Sequence, residues 1–152
     1  MAKYYYCAYD DAGDLFVDGR STSASWFMTE LPEGGSTFND IALDQYISNT
    51  TKIQWDGGYL TFRYDGAIYQ VSVSGSDGMV KGTVPLSKTY GDAQAFWIQG
   101  NKVVAPFGKP LKSNNQRLGY WSYPAGGMAT KTLRGLTTGR KDQLNDVTVS
   151  SS

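Results

Sequence analysis

The chain has 152 residues, of which 40% are hydrophobic and 14% aromatic, enough apolar material for the core of one ordinary domain. Lysine and arginine together number 14, as do aspartate and glutamate, so the formal net charge is zero. That disfavours nucleic acid as a partner, because phosphate neutralisation supplies most non-specific affinity, and it leaves self-association unopposed by net repulsion.

The chain has no histidine. This removes Ser-His-Asp catalysis, histidine-ligated zinc or iron, and histidine general-base chemistry. The one cysteine, Cys7, has no intrachain partner and no CxxC spacing, and its place in a strand pattern reads as core. No apolar stretch approaches the roughly 18 residues of a membrane span, so no membrane partner is expected. The start, Met1-Ala2-Lys3-Tyr4, does not resemble a secretory signal. The compartment stays open, and Asn49-Thr50-Thr51 is a glycosylation sequon only in a secretory setting.

Three repeats follow one another along the chain. In the first, Cys7–Asp10 is an apolar strand, followed by a polar turn and then Asp14–Gly19. Ser25–Leu31 then turns through Pro32-Glu33-Gly34-Gly35 into Thr37–Leu43. In the second, Ile53–Asp56 turns through Gly57-Gly58 into Tyr59–Phe62, and Ala67–Val73 turns through Ser74–Gly78 into Met79–Val84. In the third, Phe96–Gln99 turns through Gly100-Asn101 into Lys102–Ala105, and Leu118–Tyr123 turns through Pro124-Ala125-Gly126-Gly127 into Ala129–Leu133. Apolar strands joined by short Gly-bearing turns are a hairpin signature. The Pro–Gly-Gly turn recurs after 92 residues, and half of that, about 46, is a propeller-blade period. No helix longer than a turn is expected.

The fold class is therefore all-β: a β-propeller piece of three four-stranded blades at about 4–43, 51–86 and 92–136. Residues 1–152 are read as a single half-propeller domain, with an extra C-terminal strand at about 145–150 (Asp146–Ser150 carries the pattern). A β-sandwich also has frequent turns, but gives no reason for a sequence period. Propellers close with about four to eight blades. Three blades would leave two bare end faces, so the expected partner is a second copy related by a twofold axis, three plus three.

The phrases Cys7–Gly19, Ile53–Gly57, Phe96–Gly100 and Tyr123–Gly127 resemble a family of uncharacterised bacterial six-bladed propellers, distantly related to NHL-repeat and gluconolactonase-like propellers. The resemblance covers nearly the whole chain, which looks like the C-terminal half of those proteins. It implies a six-bladed fold and little about activity. A calcium-dependent hydrolase of the gluconolactonase type is an alternative that rests on this analogy.

The expected function is a non-catalytic binding or interaction scaffold that self-assembles, with a designed or excised half-propeller as a further alternative. No catalytic residue, cofactor or metal site is expected. The acidic run Asp10-Asp11-Ala12-Gly13-Asp14 lacks the later glutamate of a calcium loop, and Asp favours turns in any case. Trp26, Trp55, Trp97 and Trp121 fall on blade strands and are expected to pack between blades. The loops expected on the ligand face carry Arg20, Arg63, Lys88, Lys109, Lys112, Arg117, Arg140 and Lys141 against Asp44, Asp65, Asp92 and Asp142. This predicts a basic funnel for a small anionic ligand, with Tyr46, Tyr90 and Gln116 supplying stacking and hydrogen bonds.

Overall fold

The computed structural model describes residues 1–86, 93, 95–107, 117–134 and 147. Among them are thirteen strands and no helix, and they divide into two compact units. The first comprises Met1–Tyr64 and Tyr69–Thr83, the second Asp65–Ile68 and Val84–Ser152. Among the described residues no helix is long and apolar enough to cross a membrane.

The first sheet is antiparallel, in the order β1 (Lys3–Tyr9), β2 (Leu15–Arg20), β3 (Trp26–Leu31) and β4 (Asn39–Asp40). Its first turn is fixed by a side chain: Asp10 Oδ1 accepts the N–H groups of Ala12 and Asp14, both at 2.9 Å. The next repeat uses the same device, with Asp56 Oδ1 accepting from Gly58 at 3.0 Å and Tyr59 at 2.7 Å. A short carboxylate that mimics a turn acceptor is the reason Asp recurs at these hairpins.

The second sheet has five strands: β5 (Ala42–Leu43), β6 (Ile53–Trp55), β7 (Leu60–Tyr64), β8 (Ala67–Ser74) and β9 (Asp77–Pro85), in the order β5-β9-β8-β7-β6. Its β7–β8 turn is Asp65-Gly66, with φ of 45° and 78°. Two successive left-handed residues make the tight turn that matches strand twist, and Asp-Gly is among the few pairs that tolerate it. The third sheet runs β10 (Trp97–Gln99), β11 (Lys102–Phe107), β12 (Arg117–Ser122) and β13 (Gly126–Leu133), in that order.

Each expected hairpin among the described residues forms. The outer strand expected over Thr37–Leu43 is divided instead. Ile41 N–H still donates to Met28 in the first sheet at 2.9 Å, whereas Ala42 donates to Ser76 and Asp44 to Gly78. Ala42–Leu43 thus joins the second sheet as β5, parallel to β9. Gly78 makes the approach feasible, since a Cβ there would stand 2.5 Å from Leu43 Cδ2. The second unit repeats the feature in brief, with Leu86 bridging Gly127 in parallel. Apart from Val147, the strand expected at 145–150 lies outside the described residues.

In the first unit, Phe16, Met28, Ile41, Ile53, Leu60, Phe62 and Val71 form the core. Trp26 and Trp55 join it from opposite sheets. Trp55 stacks on Phe16 with centroids 6.5 Å apart and planes 4° apart, and Trp26 meets Phe62 at 6.0 Å. Packing between sheets is the role expected of these tryptophans. The second unit is built on Ile68, Val84, Phe96, Val103, Phe107 and Trp121. Each such side chain contributes about 1.5–3 kcal/mol by leaving water.

Cys7 is not core. It is exposed on β1, an edge strand, and pairs with Val17 on the face away from the first unit's core.

Candidate functional site

Of the expected ligand residues, Arg20 and Tyr46 come together. Arg20 ends β2, Tyr46 follows β5, and both line a cavity of about 800 Å³ in the first unit, walled also by Trp26, Asp40 and Asp44. Tyr46 is 85% exposed.

Arg63 is a correction to the sequence reading. It lies inside β7, buried, rather than in a loop, because the turn after β7 consumes only Asp65 and Gly66. Arg117 opens β12 in the second unit and is half-buried. Lys88, Tyr90, Gln116 and Arg140 lie outside the described residues, as do Lys109, Lys112, Lys141, Asp92 and Asp142.

The structure adds a polar centre that the sequence did not single out. Asp18, on the same face of β2 as Phe16, is completely buried. Its Oδ1 accepts Tyr6 N–H at 2.9 Å, and its Oδ2 accepts Trp26 Nε1–H at 3.3 Å and the Thr50 hydroxyl. Burial pushes this carboxyl above the ordinary aspartate value, outweighing three donors that favour the charged form. The sequence signal was an acidic residue in phase with an apolar strand face, masked by the habit of Asp at turns. In the sequence Thr50 and Thr51 stand out only as part of a sequon.

Two residues on, Arg20 contrasts with Asp18. Its Nε is buried with no hydrogen-bond partner. It borders a second cavity of about 330 Å³, lined also by Tyr5, Tyr6, Asn49, Thr50 and Thr51. Thr51 Oγ1 is likewise buried and unpartnered.

The carboxylates of the acidic run are engaged in structure. Asp10 closes its own turn, Asp14 accepts Glu33 N–H at 2.7 Å, and Asp11 accepts Trp55 Nε1–H at 2.9 Å. Among the described residues no group of three or more His, Cys, Asp or Glu side chains is placed to hold a metal ion.

No protein-family model and no curated protein matches the chain. Neither comparison therefore supplies an NHL-repeat or gluconolactonase-like relative. Among solved structures, the chain is similar to the crystal structure of the computationally designed Ika4 protein. The TM-score is 0.51 and the identity 12%, over 93% of this chain and 77% of that one. The likeness concerns the fold: all-β, with blade-like antiparallel sheets.

Proposed function

We propose that the chain is a non-catalytic β-propeller module of three blades that pairs with a second copy to close a six-bladed ring, offering loop cavities to a small anionic ligand. One observation carries this reading: the first sheet presents apolar residues on both faces, including the one turned away from the core. Phe16 and Met28 point into the core. Register places Leu15, Val17, Phe27 and Leu31 on the opposite face, all half-buried, beside Tyr4, Cys7 and Tyr9 of β1. Tyr4 is 68% exposed and Tyr9 63%. A sheet with one wet face alternates apolar and polar residues, whereas apolar residues on both faces belong to a sheet covered on both.

A second copy fits as the cover. Three blades fall short of the roughly four to eight that close a propeller. Twofold pairing would cover equivalent faces at once, and zero net charge opposes it least. Size-exclusion chromatography of Val17→Lys tests this. Wild type should elute as a dimer and the variant as a folded monomer; identical elution would count against the face as the interface.

A second reading, a designed or excised half-propeller with assembly as its only property, gains weight from the designed origin of Ika4. The calcium-dependent hydrolase draws no support from the acidic turns, whose carboxylates accept backbone and indole N–H groups.

A further inference from the structure

The first hairpin of each sheet sets the correspondence between repeats. Asp10 N–H donates to the Asp14 carbonyl and Asp56 N–H to that of Tyr59, while Gln99 pairs with Lys102. Counted from these closing pairs, Leu15 and Val17 correspond to Leu60 and Phe62 in the second sheet, and to Val103 and Ala105 in the third. Phe16 and Asp18, on the other face, correspond to Thr61 and Arg63, and to Val104 and Pro106. Within the first unit, unlike faces meet. Phe16 and Met28 of the first sheet share a core with Leu60 and Phe62 of the second, and Trp26 lies 6.0 Å from Phe62. Stacked repeats reuse one kind of neighbour contact, so the open face of Leu15 and Val17 calls for a cover of the Phe16 kind.

The third sheet carries such a face. Its Val103, Ala105 and Trp121 enter the second unit's core. Register places Val104, Pro106, Leu118, Tyr120 and Leu133 on the opposite side. Val104 and Pro106 are buried there, Leu118 and Tyr120 half-buried, and Leu133 is 38% exposed. None of the five is part of either described core. The charges match as well. One row across the first sheet reads Cys7, Val17, Thr29, Asp40, and one across the third reads Val104, Tyr120, Lys131. Asp40 lies on β4 and Lys131 on β13, the last strand of each sheet, and both are exposed. Each apolar row therefore ends in a charge opposite to the other's. Asp40 also borders a recess of about 400 Å³ walled by Tyr4, Phe27 and Phe38, a concave feature on the open face.

We infer that the open face of the first sheet is covered by this face of the third sheet of a second copy, in a head-to-tail contact that sets Asp40 opposite Lys131. A dimer makes the contact twice. This rests on the proposed self-assembly and names the surface that completes it. A face that paired with its own twofold mate would instead leave Leu118 and Lys131 uninvolved.

The test is the dimer dissociation constant of the full chain, measured by sedimentation velocity for Asp40→Lys, for Lys131→Asp and for an equimolar mixture of the two. Each variant alone sets like charges together at both contacts and should dimerise roughly tenfold or more weakly than wild type. In the mixed dimer one contact keeps Asp40 with Lys131 and the other has both charges reversed. The mixture should therefore return to within about threefold of wild type. Leu118→Lys should abolish pairing as Val17→Lys does. If Leu118→Lys does not fold, the charge-reversed pair, which lies at exposed positions, decides. Unchanged dimerisation in Lys131→Asp, alongside its loss in Val17→Lys, would overturn the head-to-tail contact and leave the proposed self-assembly standing. Failure of the mixture to recover would overturn it too. A wild-type chain that stays monomeric would refute both.

Discussion

The two faces of the first sheet share a backbone and differ in what completes them. On one, Phe16 stacks on Trp55, Met28 is buried, and Asp18 has three donors. On the other, Leu15, Val17, Phe27 and Leu31 are only half-buried, Tyr4 meets Phe27 edge-on at 5.7 Å, and Tyr9 stands exposed. Both carry apolar residues, yet among the described residues only the first packs into a core. Folding of the first unit rests on one face, and the proposed assembly on the other.

Substitutions on the two faces should therefore fail in different ways. The largest effect on stability is expected at Phe16→Ala, about 3–5 kcal/mol in denaturant unfolding, because it removes a buried ring and leaves a cavity under Trp55. A loss below about 1 kcal/mol would mean that the stacking contributes little. Asp18→Asn should cost less, about 1–3 kcal/mol, since its amide must turn N–H groups toward at least one of three donors.

Asp18 also sets a pH dependence. Its folded value is raised above 3.8, so its contribution to stability is fully present below that pH and is lost as pH rises through the raised value. Glu30 shifts the same way, mainly through burial and then through Asp14 and Asp10. Unfolding midpoints measured from pH 3.5 upward should fall in wild type and fall less in Asp18→Asn. Parallel curves would show that Asp18 does not titrate in this range.

The smallest expected effect on the fold comes from the open face. Val17→Lys should change the intrinsic stability of the monomer by about 0.5 kcal/mol or less while abolishing the pairing. Equal losses from Val17→Lys and Phe16→Ala would erase the distinction between the faces.

Much of this architecture was legible in the sequence. The alternation in Phe16-Val17-Asp18 and the Asp-bearing turns at Asp10 and Asp56 carry local physics that does not depend on distant partners. The departure at Ile41–Leu43 was not legible, because a strand that changes sheets depends on a distant Gly78 lacking a Cβ. The site was harder still. Arg63 sits in a strand because a two-residue turn left no loop for it, and Cys7 is exposed because β1 is an edge, a property of pairing rather than of pattern. Asp18 and Thr50 acquire their roles only when residues 32 positions apart meet.

The most direct test of the central claim is absolute mass by native mass spectrometry and light scattering across a dilution series. The account predicts a species of about twice 16.6 kDa that persists on dilution. A monomer at every concentration, with the outer face of β2 and β3 open to water, would contradict it.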